Sequence, residues 1–348
     1  MKACFPVCWV EADSKRRSGY IDVRGNLVAE FPYHAVTEVR EGLAFFTRGE
    51  RWAKGLLWGV MKGDGSIVTP PRFTSYRAFS QGRAVASTDT EAGFSFTFGY
   101  LNTDGDWAVE PQFETAYTFS ESAAYAKRPP LSSLFGLIDL QGDRLLDDLS
   151  IGGAFVREGL AQAYSSDSRR FGFRTPRGDW AIPAKFSGVY DFKEGLGGVL
   201  TGTAGREQLG FVARNGDVVV EPGKYRSTER GFSEGLAGVY RRMKGESVGG
   251  FINRGGEEVI PCRWGLVRPF SDGRAAVMDA TTRLWGYIDL KGTVVIPPRF
   301  GAIEDFRDGL AQGRLKKIIG PNDYIDSFGE VVWSAGQMPK RKRKMVGS

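Results

Sequence analysis

Trp285-Gly286-Tyr287-Ile288-Asp289-Leu290-Lys291-Gly292 decides how this chain is read. Apolar residues run to Ile288, a polar stretch closes on Gly292, and Val294-Val295-Ile296 resumes the apolar run before Pro297-Pro298. Two short β-prone runs split by a glycine-closed loop predict an antiparallel hairpin with a bulge, the glycine taking a positive φ. A residue with a Cβ there would cost about 1–2 kcal/mol.

The same pattern recurs outward in both directions. Aligned on its second residue, it has anchors at Gly19, Gly59, Gly99, Gly136, Gly172, Gly210, Gly250, Gly286 and a degenerate Asp323. The spacing is about 38 residues, a period that marks a repeat architecture. The alignment can be tested at the turn position six residues on. That position holds Gly25, Gly65, Gly105, Gly142, Gly178, Gly216, Gly256, Gly292 and Gly329, a glycine in every copy. Most copies then carry proline (Pro70-Pro71, Pro111, Pro183, Pro222, Pro261, Pro297-Pro298), which cannot donate to a ladder and is expected to end the second strand. An aromatic follows at Phe73, Phe113, Phe186, Tyr225, Trp264 and Phe300, and another at Phe79, Phe119, Phe192, Phe232, Phe270 and Phe306. Three residues later glycine returns, with Ser122 the exception, and a third strand leads to the next anchor.

The expected fold is all-β: about nine three-stranded antiparallel repeats with a connector pinned by two aromatics. One copy buries too little apolar surface to stand alone, so neighbours must cover each other's faces and the array forms one body, residues 1–335. Nine units of three strands favour an open solenoid-like superhelix over a closed propeller-like ring, whose blades have four strands. As a set, the quoted segment with Val295-Ile296-Pro297-Pro298 and Phe306-Arg307-Asp308-Gly309-Leu310-Ala311 resembles the WG repeat family. The resemblance spans about residues 3 to 335. Tryptophan holds the first position only at Trp58 and Trp285, and the fourth copy has Asp147-Asp148 in place of proline. The resemblance implies a repeat architecture with a role in interactions, and no reaction.

Composition bounds the function classes. No apolar run reaches the roughly 18 residues of a membrane helix. The N-terminus lacks the long apolar stretch of a secretory signal, with charged residues from Glu11 to Arg17. Three cysteines, Cys4, Cys8 and Cys262, form no disulfide framework, so a cytoplasmic protein is expected. The single histidine, His34, leaves little material for histidine-dependent triads or metal sites. Phosphate loops, dinucleotide fingerprints and nucleophile elbows are lacking, so no enzyme, no cofactor and no metal are expected.

Asp22, Asp139, Asp289 and Asp326 end the first strand of their copies and read as turn caps rather than catalytic carboxylates. The acidic residue before the third-strand glycine (Glu41, Glu158, Glu194, Glu234, Asp272, Asp308) reads the same way. Trp58, Phe98, Phe135, Phe171 and Trp285 recur in register and read as shared core. Function is expected where copies differ, in the loops Lys15–Ser18, Gly49–Leu57, Ser87–Thr97, Lys127–Leu134, Thr201–Gln208 and Arg241–Ser247. Of the net charge of +6, five units sit in Lys340, Arg341, Lys342, Arg343 and Lys344. They lie within a tail, residues 336–348, expected to be disordered. The reading is a non-catalytic scaffold for an unknown protein partner. The alternative is a nucleic-acid-associated protein held by the basic tail.

Overall fold

A computed structural model describes residues 4–11, 16–49, 56–88, 97–128, 135–149, 155–315, 323–334 and 336–340. Every regular element among them is a β-strand. Two compact units are present: Met1–Phe119 with Asp308–Leu310 and Ile319–Ser348, and Ser120–Arg307 with Ala311–Ile318.

The hairpin turns form as the sequence dictates. All nine turn glycines have positive φ, from 77° at Gly25 to 98° at Gly178. In the Asp289 turn, the carboxylate Oδ1 accepts from the backbone N–H of Lys291 (2.9 Å) and of Thr293 (2.8 Å). Asp22, Asn102, Asp139, Asn253 and Asp326 accept from their own turns in the same way. A short side chain that completes the turn's own hydrogen bonds explains why Asp and Asn recur here.

Proline does not end the second strand. Strand Trp107–Phe113 runs through Pro111, and its terminal aromatic pairs with the anchor of its own copy: Phe98 opposes Phe113 while Tyr100 opposes Val109. The register therefore slips by two residues across Gly99, a bulge in which a missing N–H costs no ladder bond. The bulge also explains the anchor glycine. A Cβ on Gly172 would lie 2.5 Å from the Ile182 carbonyl oxygen and 2.8 Å from the Ala184 nitrogen, both backbone atoms of the opposing bulge. In the fourth copy, which lacks the proline, Phe135 opposes Leu149 and Leu137 opposes Leu146, a slip one residue smaller.

The sheets are out of phase with the sequence repeat. In one sheet the order is Ala35–Val36, Leu43–Thr47, Trp58–Lys62, Ile67–Phe73. The first two strands belong to one sequence copy and the last two to the next. The connector thus supplies a short fourth strand. It turns into the third strand through two residues of positive φ, Glu41 (53°) and Gly42 (83°), the geometry of a tight hairpin turn. In the second unit the same assembly recurs in Gly188–Lys193, Leu196–Thr201, Gln208–Ala213, Val218–Tyr225 and in Ser227–Ser233, Leu236–Met243, Glu246–Asn253, Glu258–Trp264.

Where a sequence copy is shared between two sheets, as in the copies anchored at Gly210 and Gly250, its aromatics staple them; the strands of the copy from Trp285 all lie in one sheet. Phe211 meets Phe232 at 4.9 Å, Phe251 meets Phe270 at 4.8 Å and Tyr287 meets Phe306 at 4.6 Å between ring centroids. The deepest ring is the one that follows the anchor glycine: Tyr100, Phe211, Phe251 and Tyr287 are fully buried. The expected core set fares differently. Phe135 is buried, whereas Trp58, Phe98, Phe171 and Trp285 are half-buried. Strand alternation puts residues two apart on one face, but only the inner one reaches the next sheet.

In the first unit the chain ends pack together. Phe5, Val7, Trp9 and Ile21 form one buried cluster with Leu310, Tyr324 and Trp333. The Tyr324 hydroxyl donates to the Pro6 carbonyl oxygen at 3.1 Å.

Candidate functional site

The repeat carries an acidic ladder that sequence reading placed in the turns but could not connect. Both oxygens of Glu158 lie within 3.1 Å of the Gly195 nitrogen in the next copy, whose N–H donates to them. Glu194 accepts from Gly235, and Glu234 from Gly273, in the same way. Glu121 accepts from the N–H groups of both Glu158 and Gly159. In the first unit Glu41 accepts from Gln81 and Gly82 at 2.7 and 2.9 Å. Two successive positive-φ residues expose adjacent N–H groups, and such concavities favour an anion. A parallel hydroxyl series runs beside it: Ser233 donates to the Phe270 carbonyl (2.8 Å) and Ser271 to that of Phe306 (2.6 Å). These carboxylates are consumed by structure and are not available to a reactant.

A second polar group lies on the connector and third strands of the second unit. Gln162 Nε2 donates to Asp191 Oδ1 at 2.5 Å, and the Tyr125 hydroxyl donates to the Gln162 carbonyl oxygen. Burial pushes the Asp191 carboxyl above the ordinary aspartate range. Burial, with Arg157 and Arg230 nearby, pulls the Lys193 ammonium below the ordinary lysine range. Further along, Arg268 donates to Asp305 Oδ1 (2.7 Å), to Glu304 Oε2 (2.9 Å) and to the Ile303 carbonyl (3.0 Å). The Arg268 contacts join one copy to the next. Among the described residues, no set of three or more His, Cys, Asp or Glu side chains is placed to hold a metal ion.

The variable loops give a more open arrangement. Thr201–Gln208 and Arg241–Ser247 are the tips of two hairpins within sheets. They converge on a cavity of about 560 Å³ lined by Gly205, Arg206, Glu207, Gln208, Arg226, Arg242 and Ser247. Arg226 is fixed at both ends: its backbone N–H donates to the Tyr240 carbonyl (2.8 Å), and its Nη1 donates to the Glu207 carbonyl (3.3 Å). Arg206, Arg226 and Arg242 are all exposed. The sequence named both loops but not Arg226, which sits between the outer and connector strands. Its signal was only an arginine after the first connector aromatic, Tyr225. The other variable loops fall partly outside the described residues.

The remaining expected contacts lie elsewhere. Lys340 is exposed, and its carbonyl oxygen accepts from the Leu27 N–H at 2.8 Å. Arg341, Lys342, Arg343 and Lys344 lie outside the described residues. His34 donates its backbone N–H to the Thr47 carbonyl, in the connector strand region of the first copy. All three cysteines are free thiols.

The WG containing repeat family matches residues 19–52, 58–89, 98–128, 172–202, 250–279 and 285–312, together more than half of the chain. No curated protein matches by sequence. Similar solved structures include a eukaryotic initiation factor, at 10% identity and a TM-score of 0.44, covering 84% of this chain and 95% of that one. A prolyl endopeptidase aligns at 12% identity and a TM-score of 0.43, over 83% of this chain and 46% of that one. The CRINKLY WD40 ectodomain of an Arabidopsis thaliana receptor kinase aligns at 15% identity and a TM-score of 0.36, over 75% and 96%. On the family match, the chain is a member of the WG containing repeat family.

Proposed function

We propose that this protein is a non-catalytic scaffold that binds a protein partner through its variable hairpin tips, and that it acts in the cytoplasm. One observation carries the reading: two loops that differ from their counterparts in other copies meet in an arginine-lined cavity on a frame otherwise built from repeated contacts. Binding residues concentrate on loops held by a rigid scaffold. The free thiols Cys4, Cys8 and Cys262 suit a reducing compartment.

The test is affinity capture from nuclease-treated native lysate. The bait is full-length protein beside a variant in which residues 202–207 and 243–246 are each replaced by a two-residue Asn-Gly turn. A partner held by the wild type and lost from the variant supports the reading. The same partners on both proteins would overturn it.

A further inference from the structure

We infer that the cavity between the hairpin tips is a receptor for an acidic peptide segment, one carrying several carboxylates in succession; this rests on the scaffold reading above. Three guanidinium side chains, Arg206, Arg226 and Arg242, come from three places in the chain and line one concavity. They carry three positive charges against the one of Glu207, the only acidic residue in the lining. Arginine is the side chain best matched to a carboxylate, since its planar fork donates two parallel hydrogen bonds. Arg226 is braced before any ligand arrives, by its backbone bond to Tyr240 and its side-chain bond to the Glu207 carbonyl. Less side-chain freedom is then lost on binding.

The lining also selects between polyanions. None of its residues is aromatic, so no ring is present on which a base could stack, the usual platform for single-stranded nucleic acid. Glu207 interrupts the positive wall and opposes a continuous phosphate backbone. Gln208 and Ser247 supply neutral donors and acceptors of the kind that meet peptide amides. A cavity of about 560 Å³ falls in the range of small-ligand pockets and suits two or three side chains with their backbone.

The experiment is fluorescence anisotropy with full-length protein and a labelled octaglutamate peptide, beside a labelled octalysine peptide and a labelled RNA octamer. Octaglutamate should bind and octalysine should not. Arg226→Ala and Arg242→Ala should each weaken octaglutamate binding by about tenfold, the loss of a charge-assisted contact. Arg283→Ala, at an exposed arginine in another hairpin, should leave binding unchanged. Binding should weaken with added salt as the ion pairs are screened. No octaglutamate binding, equal binding by Arg226→Ala, Arg242→Ala and wild type, or tighter Arg226-dependent binding of RNA would each overturn the inference. If those results appear while the tip-replaced variant still loses its lysate partner, the scaffold reading stands and only the acidic specificity falls. If lysate capture is unchanged by tip replacement but octaglutamate binding holds, the scaffold reading fails and the cavity remains an anion site.

Discussion

The frame and the tips of the second unit use the same residue types for opposite ends. In the frame, charged side chains are tied to backbone or to opposite charge: Glu158 to Gly195, Glu194 to Gly235, Arg268 to Asp305. At the tips, Arg206 and Arg242 stand exposed around a cavity. A charge repeated in register serves the repeat, while a charge that occurs in one copy is free to serve a ligand. Regularity is therefore the better guide to architecture, and departure from it the better guide to a site.

That contrast should break most visibly at the aromatic staples. Phe270→Ala removes a fully buried ring packed on Phe251 and should cost about 3–5 kcal/mol, read as a lowered denaturant midpoint. An unchanged midpoint would mean that the sheets do not depend on each other.

The acidic ladder comes next in size. Glu158→Ala deletes a charge-assisted bond to Gly195 and should cost about 1 kcal/mol, reduced from the buried value by partial exposure. Glu158→Gln, which keeps the acceptor oxygen, should recover part of that loss.

Asp191 sharpens the comparison through pH. Its folded carboxyl titrates above its unfolded one because burial disfavours the charge. Its contribution is therefore fully present below the unfolded pKa and is lost as pH rises through the folded pKa. Above the ordinary value of 3.8, Asp191→Asn should raise the melting temperature relative to wild type, and the gap should close in acid. An equal gap at every pH would exclude titration of this group as the cause.

The smallest effect belongs to the tips. Arg226→Ala and Arg242→Ala should shift stability by no more than about 0.5 kcal/mol, since exposed side chains away from caps and core rarely matter more. A large destabilisation by either would make the tip part of the frame.

Much of the fold was legible because turns and strands are local. Gly292 must be glycine for its positive φ of 82°, and Asp289 caps its own turn, whatever the rest of the chain does. The β-prone runs on either side of that turn likewise gave the strand Trp285–Asp289 and the start of Val294–Ile303, which runs on past the prolines expected to end it. The aromatics were legible as core, but their order of burial was not, because Trp285 and Tyr287 share a face and only packing separates them. The bulge at Pro111 was missed for a similar reason. Proline announces a lost donor, and only the opposing Gly99 shows that the strand continues past it.

The sequence by itself determined a β-repeat, its period, its turns and the loops where copies diverge, since each depends on residues close along the chain. Tertiary structure alone decided the phase of the sheets, which divide sequence copies such as those anchored at Gly210 and Gly250, because a strand's partner is chosen by packing and not by proximity in sequence. It also decided that Thr201–Gln208 meets Arg241–Ser247 with Arg226 between them. Residues some forty apart become neighbours only when successive sheets stack, and that stacking is what turns three separate arginines into one site.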